Sequence, residues 1–497
     1  MTEFWKSLKS GTDIRGVAME GVEGEPLTLT DEVVERIGAA FAVWLEKQCG
    51  KPAPRISVGR DSRLSGERMR DAVIRGLTRA GAQVLECGLC STPAMFMTTV
   101  DLGCDGAVQI TASHHPWQRN GLKFFRPSGG LESEDISALL ETAEQNIPVS
   151  PAAPGTVTAT EYMPRYAAHL RRMICDGLNA AEADRPLTGL HLVVDAGNGV
   201  GGFYASDVLA PLGADIRGSR YLEPDGRFPN HIPNPENEEA MRSICEAVTV
   251  SQADFGIIFD TDVDRAGCVD ARGREINRNR LIALASAIVL EKHPGGTVVT
   301  DSVTSDGLKE FIEGTLGGKH RRFKRGYKNV INEAIRLNRE GIDAPLAIET
   351  SGHAALRDNY FLDDGAYLAT RILITVARLR AEGRTVENLI GALREPAEAE
   401  EIRFAITEPD FRAYGDTVLD GLGQYAEDKG WRVADDSCEG VRISFDGETG
   451  SGWALLRLSV HDPVMPLNIE SNVPGGCAQI ERQILPYLAS FPALRRK

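Results

Sequence analysis

Short apolar runs alternate along the chain with stretches whose apolar positions recur every three to four residues, and this order repeats. From Arg55 to Gly88, Ile56-Ser-Val58 predicts a strand and a polar loop follows. Glu67 to Ala80 carries a helical period, Gly81 stops it, and Gln83-Val-Leu85 predicts a second strand. Leu190 to Arg217 reads the same way: strand Leu192-Val-Val194, a Gly/Asn loop, a helix over Phe203 to Leu212, and Gly213 before a further strand. A third copy begins at Thr297-Val-Val299. Strand, helix and strand in that order imply right-handed crossovers and a largely parallel sheet. Beyond Glu401 the pattern changes. Val441-Arg-Ile-Ser-Phe445 and Trp453-Ala-Leu-Leu-Arg-Leu-Ser459 alternate as half-buried antiparallel strands do, with a helix near Asp410 to Lys429.

Downstream of each copy, a short apolar strand runs into a polar loop: Ala107-Val-Gln-Ile110 before Ser113, Phe255-Gly-Ile-Ile-Phe259 before Asp260, and Leu346-Ala-Ile348 before Glu349. Open α/β sheets bind ligands at the carboxyl ends of their strands, so equivalent loops from related domains can face one cleft. The expected fold class is α/β. Three related mixed α/β domains precede a smaller α+β C-terminal domain, with the four arranged around one central cleft. At 497 residues the chain exceeds a single core. Boundaries are expected at Pro148 to Thr160, near Asn277 to Arg280, and at Pro396 to Glu401, giving domains 1–155, 156–278, 279–398 and 399–497.

Composition narrows the setting. The chain is 42% hydrophobic and 25% charged, as in ordinary globular proteins, and no apolar run approaches a membrane span. The N-terminus Met1-Thr-Glu-Phe-Trp-Lys lacks the basic and apolar regions of a signal peptide, so a cytoplasmic protein is expected. Nine irregularly spaced cysteines point to reduced thiols, and Cys87-Gly-Leu-Cys90 has no second pair to make a zinc site. A net charge of −16 argues against nucleic acid as a partner. An anionic small molecule would need a local cluster of Lys and Arg.

Two loops carry chemistry. In Asp260-Thr-Asp-Val-Asp-Arg265, carboxylates at i, i+2 and i+4 point to one side of an extended chain, so three hard oxygen ligands converge, which suits Mg²⁺. The alternatives are a solvated acidic turn or a calcium loop, and the latter lacks its central Gly and terminal Glu. Arg265 beside such an ion could hold a phosphate bidentately. Thr111-Ala-Ser-His-His-Pro-Trp-Gln-Arg-Asn-Gly-Leu-Lys123 gathers a hydroxyl, two imidazoles and an amine. On chemistry alone it fits several nucleophile classes, or a plain turn closed by Asn120-Gly121.

Together these loops resemble those of the α-D-phosphohexomutases, the phosphoglucomutase and phosphomannomutase superfamily. Thr111, Ser113, His114, Pro116, Asn120, Gly121 and Lys123 fit its phosphoserine loop, and Asp260, Asp262, Asp264 and Arg265 fit its metal loop. Glu349, Ser351, Gly352 and His353 fit its sugar-reading loop. Gly11-Thr-Asp-Ile-Arg-Gly16 and Val58-Gly-Arg-Asp-Ser-Arg-Leu-Ser-Gly66 also fit, so the resemblance covers nearly the whole chain.

The resemblance implies phosphoserine-loop, metal-binding, sugar-binding and phosphate-binding domains in that order. The implied activity is interconversion of hexose 1-phosphate and hexose 6-phosphate, of glucose and/or mannose, through a phosphoserine enzyme and a hexose 1,6-bisphosphate intermediate that also serves as activator. Ser113 would carry the phosphoryl group and, with Asp260, Asp262 and Asp264, hold one Mg²⁺. His114, Lys123 and His353 would serve the catalytic site, with Lys123 and His353 moving protons. Arg15 and Arg265 would stabilise phosphoryl oxygens. Glu349, Ser351 and His353 would bind sugar, and the enzyme would act as a monomer or homodimer on small sugar phosphates.

The C-terminal phosphate loop departs from the family pattern. Arg457-Leu-Ser-Val-His-Asp-Pro463 keeps Arg457, Ser459 and Pro463, but carries Val460, His461 and Asp462, and Asn468 stands where a second arginine is usual. An Asp462 carboxylate near a phosphate dianion would repel it, while protonated His461 could compensate. Lys324, Arg325 and Lys328 are alternative phosphate contacts. This departure leaves room for a sugar bisphosphate synthase using the same serine. A catalytically silent sugar-phosphate sensor is disfavoured by retention of Ser113, Lys123 and the three aspartates. Gly197-Asn-Gly-Val-Gly-Gly202, with Glu223 downstream, matches a dinucleotide fingerprint, but the resemblance implies a structural turn of the second domain there. Pro224 to Pro235 reads as a rigid connection.

Overall fold

The computed structural model describes residues 1–146, 153–459 and 462–497. They divide into two compact units, Met1–Asn277 with Ser351–Val386, and Arg278–Thr350 with Glu387–Lys497.

In the first unit, the first copy is a mixed sheet in the order Lys9–Ser10, Asp13–Val17, Arg119–Arg126, Gly106–Ile110, Arg55–Arg60, Gln83–Leu89, Thr156–Ala159. Arg55–Arg60 lies parallel to both Gln83–Leu89 and Gly106–Ile110, as the strand-helix-strand order requires. Arg119–Arg126 returns antiparallel to Gly106–Ile110 and sets Lys123 opposite Gln109, close to the end of the strand that leads into Ser113. Helices Asp31–Cys49 and Gly66–Arg79 cover the sheet at a close crossing. A Cβ at Gly76 would stand 2.0 Å from the Glu35 carbonyl oxygen, so only glycine permits that approach.

The stretch expected as a first linker behaves differently. Thr156–Ala159 pairs parallel with Gln83–Leu89, so the first sheet extends past residue 155. Its β-branched residues occupy an edge that would otherwise offer unpaired backbone groups. Residues 147–152 of that boundary lie outside the described residues.

The second copy is the sheet Glu275–Ile276, Ala266–Asp270, Phe255–Phe259, Leu192–Asp195. The last two strands are parallel and the remaining pairs antiparallel. The helix expected over Phe203 to Leu212 is a wider π-helical turn, Tyr204–Leu209, closed by the Ala210 amide on the Ala205 carbonyl (3.0 Å). No regular strand follows Gly213. Only single bridges form, His191 with Asp215 and Asp195 with Arg220. The Asp215 carboxylate accepts from the amide and guanidinium of its neighbour Arg217 and curls the chain before Gly218 can extend it.

In the second unit, Thr297–Asp301 lies parallel to Lys319–Phe323 on one side and Leu346–Ile348 on the other. The C-terminal sheet is antiparallel throughout, in the order Arg432–Val433, Val441–Phe445, Gly452–Leu456, Val464–Ser471, Glu398–Ile406, Leu494–Arg496. Phe411–Asp428 and Gly476–Leu488 pack on it around Val418, Leu422, Met465 and Ile480. Asp410 caps the first of these helices by accepting from the Ala413 amide (3.2 Å). The boundary expected at Pro396 to Glu401 falls partly inside this sheet, because Glu398–Ile406 is already paired from Glu398, whose carboxylate also takes the Cys477 amide (3.1 Å).

A buried polar group in this sheet gives a pH prediction. Trp453 Nε1 donates to Glu470 (2.9 Å), the Arg442 guanidinium lies 3.6 Å from the Trp453 ring centroid, and burial pushes the Glu470 carboxyl up to about 7. In the unfolded chain this carboxyl ionises near its ordinary value, so between those pH values the folded state binds more protons. The associated stability is fully present below the unfolded pKa and lost as pH rises through about 7. Glu470→Gln is therefore expected to be more stable than the parent above pH 7, by about 2 to 3 kcal/mol. The measurement is amide hydrogen exchange of Gly452–Leu456 and Val464–Ser471 against pH.

Candidate functional site

The strand Gly106–Ile110 runs into Thr111, and the chain then turns at Ser113, whose φ of 50° lies in the left-handed region. A non-glycine residue there is held by its surroundings. The Ser113 amide donates to Thr111 Oγ1 (3.0 Å), and Thr111 Oγ1 donates to Asp61 (2.7 Å), a carboxyl that burial raises to about 6. Ser113 is 3% exposed; its hydroxyl donates to Asp260 Oδ2 (3.1 Å) and accepts from Arg265 Nη2 (2.8 Å).

Asp260, Asp262, Asp264 and Arg265 are all buried. The carboxylates do not converge from an extended chain, as the spacing suggested. Val263 takes a φ of 67° and the loop turns back, so Ala266–Asp270 pairs antiparallel with Phe255–Phe259. The tight turn still brings one oxygen from each aspartate within 4.8 Å of the others. Asp262 Oδ1 and Asp264 Oδ1 are buried with no hydrogen-bond partner. Burial, then the neighbouring Asp264, pushes the Asp260 carboxyl well up. Three buried carboxylates, two of them with an unpartnered oxygen, fit a divalent cation.

Cations surround this loop. Lys123 donates to Asp264 at short range and to Asp262 (3.3 Å), while Arg265 grips Asp260 through Nε (3.1 Å). Arg15 is paired with Asp13 (2.8 Å) and its charge acts on both histidines of the serine loop. Burial and then Arg265 push His114 down to about 2, and burial and then Arg15 push His115 down to about 3. His114 is therefore neutral, with Nδ1 accepting from Arg265 Nη2 (2.7 Å). His353 is opposite in character. Burial acts against its charge, but Asp363, in close contact, and Asp264, 3.9 Å away, raise it to about 9. It is an imidazolium at neutral pH.

The sugar-loop motif is divided between the two units. Ser351 and His353 belong to the first, where the Ala266 amide donates to the Gly352 carbonyl (3.3 Å) and Ser351 Oγ is buried without a partner. Glu349 belongs to the second, where it accepts from the Gly326 amide (2.6 Å). Lys328 stands half-buried at the start of helix Tyr327–Arg339.

In the C-terminal loop, Arg457 lies 3.7 Å from Glu439, its Nε is buried without a hydrogen-bond acceptor, and burial with nearby Arg325 lowers its pKa. Ser459 Oγ accepts from the amide of Asp462 (3.3 Å), and Asp462 is exposed. Asn468 donates to Glu401 (3.0 Å). Val460 and His461 lie outside the described residues.

Several residues around the site carry no sequence signal of their own. Thr92, at the start of helix Thr92–Asp101, donates to the Asp262 carboxylate through its hydroxyl and to the Asp262 carbonyl through its amide (2.9 Å). Asp363 orients His353, and Asn234 accepts from Arg265 Nη1 (3.2 Å). The Gly197 to Gly202 loop is structural: the Val200 amide donates to the Thr261 carbonyl (2.9 Å), bracing the aspartate loop from below. Cys87 and Cys90 are buried free thiols, and burial raises Cys87 to about 12.

Comparison with known proteins supplies context for this geometry. Three family profiles match in sequence: phosphoglucomutase/phosphomannomutase, alpha/beta/alpha domain I over residues 7–148, domain II over 164–273 and domain III over 277–396. The chain is 31% identical over 460 residues to a phosphomannomutase/phosphoglucomutase of Pseudomonas aeruginosa, covering 92% of this chain and 91% of that one. It is 29% identical to a phosphoglucomutase of Neisseria gonorrhoeae, covering 99% of each. A crystal structure of a phosphoglucomutase/phosphomannomutase family protein from Burkholderia thailandensis superposes over 100% of both chains, with a TM-score of 0.81 at 27% identity.

Proposed function

Because the chain belongs to the phosphoglucomutase/phosphomannomutase family, within the α-D-phosphohexomutase superfamily, we propose that it interconverts the 1- and 6-phosphates of glucose and/or mannose through phosphorylated Ser113. The observation that carries this reading is the Ser113 hydroxyl, held between Arg265 and Asp260 beside three buried aspartates.

In the forward half-reaction the bond between phosphorus and Ser113 Oγ breaks and a bond from phosphorus to a hexose hydroxyl oxygen forms, giving a hexose 1,6-bisphosphate. The hydroxyl proton leaves and Ser113 Oγ regains one. Its other phosphoryl group then returns to Ser113. Arg265, already hydrogen-bonded to Oγ, faces the phosphoryl oxygens together with Arg15, where fixed positive charge is the main catalytic contribution. His353, protonated at neutral pH, is suited to donate, and Lys123 completes the proton path. His114 is neutral and accepts at Nδ1, which leaves its proton on Nε2. Asp260, Asp262, Asp264 and Ser113 would hold one Mg²⁺, which when bound neutralises charge on the transferring group.

On the sugar side we assign hydroxyl recognition to Glu349, Ser351 and His353. The second phosphate falls to Lys328, Arg457, Ser459 and His461, with Arg325 beside Arg457. The unused Arg457 Nε supports an anion site that no longer depends on a second arginine at Asn468. We place the enzyme in the cytoplasm as a monomer or homodimer; its nine free thiols fit a reducing compartment. Among the described residues, no helix is long and apolar enough to cross a membrane.

The test is incubation of the protein with Mg²⁺, a trace of hexose 1,6-bisphosphate and each hexose 1-phosphate, following 6-phosphate formation. Isomerisation of the glucose or mannose ester is expected. Net bisphosphate accumulation from a donor without isomerisation would replace the mutase by a bisphosphate synthase, a reading the mutase relatives do not favour.

A further inference from the structure

One buried arginine converges on the serine loop from outside the metal site. Arg63 is 1% exposed, and its two terminal nitrogens donate to four main-chain carbonyls of that loop: Ser113, His115 (2.6 Å), Pro116 (2.8 Å) and Arg119 (2.9 Å). Its Nε lies 3.3 Å from Asp61 Oδ2, and Asp61 also accepts from the Arg63 amide (2.9 Å) and from Thr111 Oγ1. The planar fork thus gathers carbonyls spread over seven residues of a loop with few internal hydrogen bonds. A lysine there keeps the charge but has three donors on a single nitrogen, so it cannot reproduce the pattern.

The segment Pro224 to Pro235 packs against the back of this arginine. The Phe228 ring lies under its guanidinium at 5.2 Å, and Phe228 itself takes a φ of 48° to do so. A Cβ at Gly226 would stand 2.4 Å from the Ser62 carbonyl oxygen, so the turn sits directly on the backbone beside Arg63. Asn198 ties the segment down. Its carbonyl takes the Asp225 amide (2.9 Å), its side chain donates to the Glu223 carbonyl (2.9 Å), and Asn230 donates to it (2.7 Å). His231 Nε2 is 3.0 Å from buried Asp195, and Asn234 reaches Arg265. The segment therefore braces both arginines that touch Ser113, one at its carbonyl and one at its hydroxyl.

We propose that Arg63, backed by Phe228, is a positioning residue for phosphoryl transfer: it fixes the left-handed turn at Ser113 so that Oγ stays between Arg265 and Asp260. The proposal rests on the reading of Ser113 as phosphate carrier. Arg63 touches neither the reacting oxygen nor the aspartates by hydrogen bond, so its loss acts on geometry at Ser113. Substrate affinity and the three aspartate ligands are left in place, and the one metal ligand that shifts is Ser113.

The experiment compares the parent, Ser113→Ala, Arg63→Lys and Phe228→Leu. It reads kcat and KM, the rate at which hexose 1,6-bisphosphate phosphorylates Ser113 by intact mass, Mg²⁺ affinity by calorimetry, and the thermal midpoint. Arg63→Lys is expected to lower kcat and the phosphorylation rate together by about 100-fold, since a shift of ~1 Å at a reacting atom has that effect. KM is expected to stay within about threefold of the parent and Mg²⁺ affinity to fall far less than kcat, by about 10-fold at most, since the three aspartates are unmoved; a general loss of structure would not allow either. Phe228→Leu, which keeps an apolar cover but loses the ring face, is expected to lower the same two rates by about 3- to 10-fold with the fold intact. An Arg63→Lys protein with kcat within about twofold of the parent, or with Mg²⁺ affinity falling as far as kcat, overturns the proposal. If Arg63→Lys does not fold, Phe228→Leu decides, and unchanged rates there overturn it. A parent that takes no phosphoryl group at Ser113 removes the carrier reading and this proposal together. A labelled parent with an equally fast Arg63→Lys removes the positioning role alone.

Discussion

Ser113→Ala is expected to lose hexose phosphate interconversion by at least about 10⁴-fold, the scale on which removal of a covalent carrier separates from removal of a helper. Among the described residues, Ser113 Oγ is the one hydroxyl that both donates to Asp260 and accepts from Arg265, so no described neighbour is placed to take over the phosphoryl group. His114 is the nearest nucleophile by sequence, but its Nδ1 is occupied by Arg265. Without the hydroxyl, Arg265 still holds Asp260 through Nε and Nη2, so the variant is expected to fold and melt close to the parent. Turnover with Mg²⁺ and hexose 1,6-bisphosphate, together with intact mass, checks both halves. The parent gains one phosphoryl group and the variant none. A Ser113→Ala protein with parental activity ends the carrier reading.

What the sequence discloses about this site is set by how local each signal is. The aspartate triplet and the Thr111 to Lys123 loop lie at the ends of apolar strands, so spacing alone points to them. Convergence of the carboxylates was legible, but the turn at Val263 that produces it was not, because a left-handed valine has no signature. Arg63, Asp363 and Thr92 act through partners distant in sequence or through main-chain carbonyls. Thr92 and Asp262, for instance, are 170 residues apart. Asp363 and Thr92 look like ordinary positions until the fold is known, while Arg63 stands in the Val58 to Gly66 motif but shows what it does there only through the carbonyls it gathers. The same reasoning applies to the paired residues within the two expected linkers. Thr156–Ala159 and the start of Glu398–Ile406 are polar enough to read as linkers, and only their pairing with Gln83–Leu89 and Val464–Ser471 makes them part of a sheet.

Removing the divalent ion is expected to lower kcat by about 10³-fold or more and to be fully reversed by Mg²⁺, since charge neutralisation at the phosphoryl group is most of what such a site contributes. The same ion is expected to raise the thermal midpoint. Metal-free, three carboxylates crowd into a buried loop, and the rise of Asp260 above its ordinary range through burial and Asp264 expresses that crowding. Lys123 and Arg265 offset it only in part, because Asp262 Oδ1 and Asp264 Oδ1 still lack hydrogen-bond donors. Asp262→Asn separates ligation from charge crowding. It keeps the shape and an acceptor for Thr92, but replaces a carboxylate ligand by a neutral amide. Its Mg²⁺ affinity is expected to fall by about 100-fold or more, and kcat at saturating Mg²⁺ to stay well below the parent's. Its thermal midpoint without metal is expected to lie at or above that of the metal-free parent, because one of three like charges has gone. The parent's midpoint should climb with Mg²⁺ as binding to the folded state requires, and the variant's should climb far less at the same concentration. Calorimetry and thermal melts across a Mg²⁺ series check this, and equal stabilisation of both proteins would place the ion somewhere other than the three aspartates.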